Sequence, residues 1–221
     1  MRFTGYIMDG YWVYATFADA AACVALSCEE SEKQRGLLDT YTFVNASYHQ
    51  YVTYPKCGMS KVPLKKVEPN EKRLEWISFP MDFLSQKWAD SIMEVVNRNN
   101  LVIDDIDYFV FSQLSDIYNT ETLKILGVPL EKNKYHFVGK EYGYTGNTCP
   151  ILCLNRMWDT YSQKGNKIIL CTVGAGCFLQ ALFGQNCKIF LDIVAKRFWT
   201  LLHVQIGQSC NAPAGCVINQ P

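Results

Sequence analysis

The sequence lacks net charge and is poor in histidine. Lysine plus arginine and aspartate plus glutamate are equal at 21 each, and only three histidines are present. A balanced surface has no broad basic field that would attract a polyanion. We therefore expect no nucleic-acid partner.

Metal-site spacings are also missing. None of the ten cysteines forms a Cys-x-x-Cys pair, and the closest two, Cys149 and Cys153, are already wider than that. Most cysteines lie inside apolar runs, as Cys23 and Cys171 do. These features predict buried, reduced thiols rather than a disulfide framework, no structural metal and no cofactor.

Long uninterrupted apolar runs are absent as well. Met1 is followed by mixed polar residues rather than by the apolar core of a secretory signal. In the apolar stretch near the end of the chain, Asp192 and Lys196 interrupt any continuous span. The sequence thus predicts no transmembrane span and a cytoplasmic location.

What is present is the pattern of an α/β domain. The chain has 221 residues, 49% of them hydrophobic, which is enough for one sizeable core. Residues 81–97 carry apolar side chains at helical spacing, and compact apolar runs at 107–111, 168–173 and 178–183 predict buried strands. This alternation predicts a sheet covered by helices.

The other predicted elements rest on turn signals and shorter patterns. They are strands at 11–17, 20–27 and 40–54, a helix at 120–126 ending at Gly127, and a helix at 151–163 that follows Pro150.

Three separated motifs carry the functional information. They read Asp-Tyr-Phe-Val-Phe-Ser-Gln (107–113), Tyr-Gly-Tyr-Thr-Gly-Asn-Thr (142–148) and Thr-Val-Gly-Ala-Gly-Cys-Phe (172–178). The third also satisfies part of a dinucleotide-binding fingerprint, with Asp192 eighteen residues after Gly174. That match is weak, because little chain remains for a doubly wound domain, so we interpret the glycines as a turn between two strands.

In order and spacing, the three motifs resemble the C-terminal half of β-ketoacyl-acyl-carrier-protein synthase III, a thiolase-fold enzyme. The resemblance implies a thiolase-like mixed sheet covered by helices, and acyl condensation of the fatty acid or polyketide type. It assigns Asn147 as oxyanion donor and places Ser112 where the family has its catalytic histidine. It also places Gly174 and Gly176 in a substrate loop.

The resemblance also implies that the chain is incomplete as a catalyst. The family's acyl-accepting cysteine precedes a strand pair whose counterpart here, residues 14–22, lies close to Met1. We therefore expect 1–28 to be the last hairpin of a missing N-terminal lobe, 29–183 to be the C-terminal lobe and 184–221 to be an extra tail. A serine hydroxyl carries no positive charge, and loss of one such donor costs about a hundred- to a thousandfold in rate.

Two functions remain open. The chain is either a catalytic half that uses coenzyme A thioesters or acyl carrier protein once the missing lobe is supplied, or a non-catalytic partner subunit of an active ketosynthase. Its partner is then a homologous ketosynthase chain or a second copy. The tail is either an amphipathic docking or interfacial helix followed by disorder, or an addition of cloning or frame-shift origin.

Individual residues carry narrower hypotheses. Cys149, at the start of a predicted helix, would have a lowered pKa if the helix dipole dominates, or would simply fill a tight turn. Ser112 as a nucleophile would need a base that the scattered histidines do not provide, so we interpret it as an inert replacement. We interpret His136 as structural.

Overall fold

The computed structural model describes residues 17–24, 36–58, 68–72, 74–77, 80–161, 163, 165–174 and 178–185. Its strands are β1 (Gly36–Val44), β2 (Val52–Thr53), β3 (Glu75–Trp76), β4 (Tyr108–Phe111), β5 (Lys167–Gly174) and β6 (Phe178–Gln185). Its α-helices are α1 (Met81–Arg98), α2 (Asp116–Ile125), α3 (Gly139–Tyr142), α4 (Cys149–Arg156) and α5 (Trp158–Tyr161).

The main sheet is mixed. Its four strands lie in the order β1-β6-β5-β4, and β2 pairs separately with β3. β4 and β5 are parallel, whereas β6 is antiparallel to both of its neighbours. The predicted mixed sheet covered by helices is therefore confirmed.

Helix α1 forms the larger core with one face of this sheet. Its apolar residues recur every three or four positions, so Trp88, Ile92 and Val95 lie on one side and are fully buried. They pack in one cluster with Ile169 and Cys171, which alternate along β5. The prediction of a helix at 81–97 is correct to within one residue.

The opposite face of the sheet is covered near β4 and β5 by helices α4 and α5. Cys153 and Tyr161 form a second buried cluster with Val110, and Ile168 and Leu170 pack against it. The predicted single helix at 151–163 is wrong in one respect, because the chain leaves helical geometry at Met157 (φ −100°, ψ 14°). The break allows the Tyr161 ring to pack 4.3 Å from that of Tyr108, measured between centroids.

Two other element boundaries differ from prediction for local reasons. Helix α2 ends before Gly127 as predicted, where φ is +70°, but it begins at Asp116 rather than at 120. The predicted strand at 40–54 ends at Val44, because the Asn45 carboxamide accepts a hydrogen bond from the Ser47 N–H (3.0 Å) and starts a 3₁₀ turn.

The predicted N-terminal hairpin lies only partly within the described residues. Phe17 forms an isolated parallel bridge with Tyr144. Residues 20–24 have no regular secondary structure, so the strand predicted at 20–27 is wrong over that part. Mostly exposed small side chains give this stretch no face to bury. The rest of 1–28 lies outside the described residues.

The antiparallel pairing of β5 with β6 excludes the dinucleotide alternative. Gly174 pairs with Phe178 in an antiparallel register, so a strand follows the glycines where a nucleotide-binding domain has a helix. Gly176 lies outside the described residues. β6 continues through Gln185, two residues beyond its predicted end, and the tail after it is also outside them.

Gly184 in β6 has a steric reason to be glycine. A Cβ atom there would come within 2.9 Å of the Gly36 carbonyl oxygen. The close approach lies at the register shift between Leu37 and Asp39, where β1 bulges against β6. No described helix is long and apolar enough to span a membrane.

Replacing Ile92 by alanine is expected to lower the free energy of unfolding by about 2–5 kcal/mol, because it leaves a cavity in the α1 core. Ile117, on α2, is 60% exposed, and its replacement by alanine is expected to change the free energy of unfolding by less than about 0.5 kcal/mol. Denaturant unfolding of both variants measures the difference. Equal effects would contradict the described packing.

Candidate functional site

Ser112 is the first residue after β4, at the carboxyl end of the strand. Its backbone N–H donates to the Cys171 carbonyl (2.8 Å) and so continues the pairing of β4 with β5. The side chain is buried. The position at which the resemblance places the family's histidine therefore lies in the protein interior.

Cys149 joins the second motif to the end of β4. Its thiol donates to the Gly146 carbonyl (2.6 Å), and its sulfur accepts from the Gln113 N–H (3.4 Å). The Ser112 hydroxyl lies 4.0 Å from the same sulfur. These contacts hold the loop that contains Asn147 beside the first motif.

Tyr144 closes one side of this cluster. Its phenol contacts Ser112, and burial raises the pKa of Tyr144 to about 12, with a further rise from Cys149. The Phe17 ring packs edge-on against the Tyr144 ring, with 4.9 Å between the ring centroids, and the Ala18 N–H donates to the Tyr144 carbonyl (3.0 Å). A segment from the start of the chain therefore packs directly against the site.

Burial decides the acidity of Cys149. It raises the pKa of the Cys149 thiol, and the hydrogen bonds from Gln113 and Ser112 offset only part of that rise. The hypothesis of a thiol activated by the start of α4 is therefore wrong, and the alternative of a small side chain filling a tight turn fits the contacts. Burial likewise raises the pKa of Cys153, to about 12, and that of Cys171.

Asn147 lies in the 3₁₀ turn Gly146–Thr148 with an exposed side chain. Gly146 has φ +67°, a conformation that favours glycine, and the Thr148 hydroxyl donates to the Thr145 carbonyl (2.9 Å). The turn is thus fixed by its own backbone and hydroxyls. A role for Asn147 as oxyanion donor stays a prediction.

The histidines do not join this cluster in the described part of the chain. The Nδ1 atom of His49 is hydrogen-bonded to the Ala46 carbonyl (2.9 Å). His136 is exposed and lines a cavity of about 370 Å³, and its carbonyl accepts from the Cys153 thiol (3.7 Å). His203 lies outside the described residues. Nor do the described residues include a group of three or more His, Cys, Asp or Glu side chains that could hold a metal ion.

Gln113 is a site residue that the sequence analysis did not single out. Its buried carboxamide donates to the Phe111 carbonyl (2.8 Å) and accepts from the Val138 N–H (2.8 Å). Together with its backbone bond to Cys149, it links the end of β4 to residues on either side of the second motif. The available signal was its position directly after Ser112.

This arrangement of strands and helices is a thiolase-like fold. The structure matches 3-oxoacyl-(acyl carrier protein) synthase III from Pseudomonas aeruginosa PAO1 with a TM-score of 0.58 at 15% identity, over 73% of this chain and 48% of that one. The corresponding Thermus thermophilus structure gives a TM-score of 0.60 at 18% identity, over 72% and 49%.

Sequence comparison finds similarity to the same group of proteins. Residues 96–184 match the family model described as 3-oxoacyl-[acyl-carrier-protein (ACP)] synthase III C terminal. The chain is 27% identical over 164 residues to β-ketoacyl-[acyl-carrier-protein] synthase III of Porphyromonas gingivalis, across 72% of this chain and 47% of that protein. The matched part is therefore similar to the C-terminal half of synthase III, and the chain spans about half the length of these relatives.

Cys149 is expected to react slowly with iodoacetamide near neutral pH, because its raised pKa keeps it a thiol and its sulfur is buried. Cys23 is exposed and serves as the internal reference in the same sample. Peptide mass spectrometry over time measures both rates, and unfolded chain should equalise them. Preferential labelling of Cys149 in the folded chain would contradict the described environment.

Burial raises the pKa of Cys149 in the folded chain above the unfolded thiol pKa of about 8.5. The contribution of this residue to the free energy of unfolding is therefore fully present below the unfolded pKa and is lost as pH rises through the folded pKa.

Replacing Gln113 by leucine is expected to lower the free energy of unfolding by about 1–3 kcal/mol for each group left unpaired, because the Phe111 carbonyl and Val138 N–H lose their partner. Gln86 is exposed on α1, and the same replacement there is expected to cost less than about 0.5 kcal/mol. Denaturant unfolding compares the two, and a Gln113 variant as stable as the Gln86 variant would refute the linking role.

Proposed function

We propose that this chain is a synthase III-like protein of fatty acid or polyketide type acyl condensation that does not condense acyl groups unaided. The observation that carries the proposal is the cluster of Ser112, Tyr144 and Cys149 at the position where the resemblance expects an imidazole. A hydroxyl, a phenol with a raised pKa and a thiol with a raised pKa are neutral at pH 7. None of them supplies the positive charge of a histidine donor.

Three of the five described thiols, those in the core, support a nucleophile supplied from elsewhere. An acyl-accepting cysteine must be a thiolate, which requires a lowered pKa. Cys149, Cys153 and Cys171 are buried, and burial raises the pKa of each. The relatives are about twice as long as the matched region, which leaves room in them for such a residue outside it.

The non-catalytic partner role is the second candidate function. The hydrogen bonds already made within the cluster of Ser112, Tyr144 and Cys149 favour it. The Cys149 thiol is already bonded to Gly146 and Gln113, and the carboxamide of Gln113 is bonded at both ends. A site whose buried hydrogen-bonding groups are already paired with one another does not need a substrate to pair them. In this role the chain binds a homologous ketosynthase chain or a second copy.

If a complementary lobe completes the site, the substrates are a coenzyme A thioester or acyl carrier protein, and Asn147 is the remaining oxyanion donor. Asn147 is exposed on its turn, which leaves its amide accessible to such a lobe. The proposal includes the predicted cytoplasmic location.

The purified chain, incubated with an acyl-coenzyme A and a malonyl thioester, is expected to keep its unmodified mass and to form no 3-oxoacyl product. The reason is that neither a thiolate nucleophile nor an imidazole is present in the described cluster. Intact-mass spectrometry and product analysis measure the two results. The Porphyromonas gingivalis synthase III, assayed in parallel, is the positive control, and turnover by the chain alone would refute the proposal.

Adding the N-terminal half of the Porphyromonas gingivalis enzyme separates the two candidate functions. A catalytic half should gain condensation with the variant Ser112→His, by about a hundredfold or more over Ser112, and not with the control Ser115→His. A non-catalytic partner should instead bind and stabilise the complete enzyme without adding turnover. Circular dichroism verifies that both variants are folded.

A further inference from the structure

Aromatic side chains separate the cluster around Cys149 from solvent. Leu114, Tyr144 and Cys149 are buried together. Phe17 and Tyr118 pack against them and are themselves only partly buried. These two rings therefore lie between the cluster and solvent, and access to the cluster depends on how firmly each ring is held.

Tyr118 is held by a regular helix. It lies on α2, and its backbone carbonyl accepts hydrogen bonds from the Ser85 hydroxyl (3.2 Å) and from the Thr122 hydroxyl (2.8 Å). Ser85 belongs to α1, so the first of these bonds ties α2 to the helix of the larger core. Displacing the backbone at Tyr118 would require α2 to break or to move as a whole.

Phe17 is held by an irregular segment instead. It forms an isolated parallel bridge with Tyr144, and the Ala18 N–H donates to the Tyr144 carbonyl (3.0 Å). Residues 18–24 contain no helix or strand, and their side chains are mostly exposed. Segments with exposed side chains and little regular structure open at a lower free-energy cost than a packed core does. Phe17 is therefore the more easily displaced of the two rings.

Tyr144 connects Phe17 to the interior. The two rings are in edge-on contact, with 4.9 Å between their centroids, and the phenol of Tyr144 contacts Ser112. The Ser112 hydroxyl in turn lies 4.0 Å from the Cys149 sulfur. Departure of Phe17 would thus remove one wall of the cluster and expose Tyr144 and Cys149 from that side.

We propose that Phe17 and Ala18 form a removable cover over the cluster of Ser112, Tyr144 and Cys149, and that this cover opens without unfolding of the core. The Phe17 ring excludes solvent and solutes, and the hydrogen bond from Ala18 to Tyr144 holds the ring in place. Opening of the cover is the step that controls access to the cluster. Its meaning as an access step rests on the proposed function, which locates the site at this cluster.

Alkylation of the full-length chain under native conditions tests the opening. Low concentrations of denaturant accelerate reactions that require global unfolding much more than those that require local opening. Cys149 is expected to react with iodoacetamide at least about tenfold faster than Cys171, which is buried in the α1 core, and with little dependence on denaturant. A Cys149 rate that is no faster than that of Cys171, or as steeply dependent on denaturant, overturns the proposal.

Replacing Phe17 by alanine tests the ring itself. The ratio of the Cys149 rate to the Cys171 rate is expected to rise by at least about tenfold, because the smaller side chain leaves the Cys149 sulfur accessible while Cys171 still requires global unfolding. Phe17→Leu keeps an apolar side chain at this position and is expected to restore most of the protection. Val24→Ala is the matched control, because Val24 lies in the same segment and is 48% exposed.

The outcome of the comparison is decided by that ratio. An unchanged ratio in Phe17→Ala, or an equal rise in Val24→Ala, overturns the assignment of Phe17 as the cover. Both experiments measure access to a thiol and not acyl condensation. Condensation by the unaided chain would therefore refute the proposed function alone, whereas a failure of these alkylation results would refute the cover alone.

Discussion

The contact between the end of β4 and the start of α4 holds the candidate site together. Parallel pairing with β5 fixes Ser112 in the interior, and the Cys149 sulfur accepts the next backbone N–H while its thiol binds the Gly146 carbonyl. Gln113 extends the same junction to Val138. The hydrogen bond between Gln113 and Cys149 therefore joins residues that lie 36 positions apart in the sequence, and it fixes the position of the Asn147 turn.

Much of the fold could be predicted because the local patterns agree with the tertiary structure. The spacing of Trp88 and Ile92 defined α1, the apolar runs defined β4 to β6, and Gly127 marked the end of α2. Two element boundaries were predicted wrongly because local interactions determine them. Asn45 ends β1 early, and the break at Met157 divides the predicted helix. Neither depends on hydrophobic periodicity.

The site was less predictable than the fold because its chemistry depends on burial. Sequence motifs singled out Ser112 and Asn147, but they left open whether the pKa of Cys149 is lowered or whether its side chain simply fills a tight turn. Desolvation is the largest influence on that pKa, and desolvation is a property of the packed interior. The linking role of Gln113 could likewise be found only in the three-dimensional structure, since both partners of its carboxamide are backbone groups.

The buried phenols and thiols in and around α4 describe the electrical character of this interior. Tyr144, Cys149, Cys153 and Tyr161 all have a pKa raised first by burial, so each loses its proton less readily than it does in water. An environment that keeps phenols and thiols protonated also opposes the growth of any other negative charge. A group that became anionic there would need dipoles or cations from outside this cluster to counter that opposition.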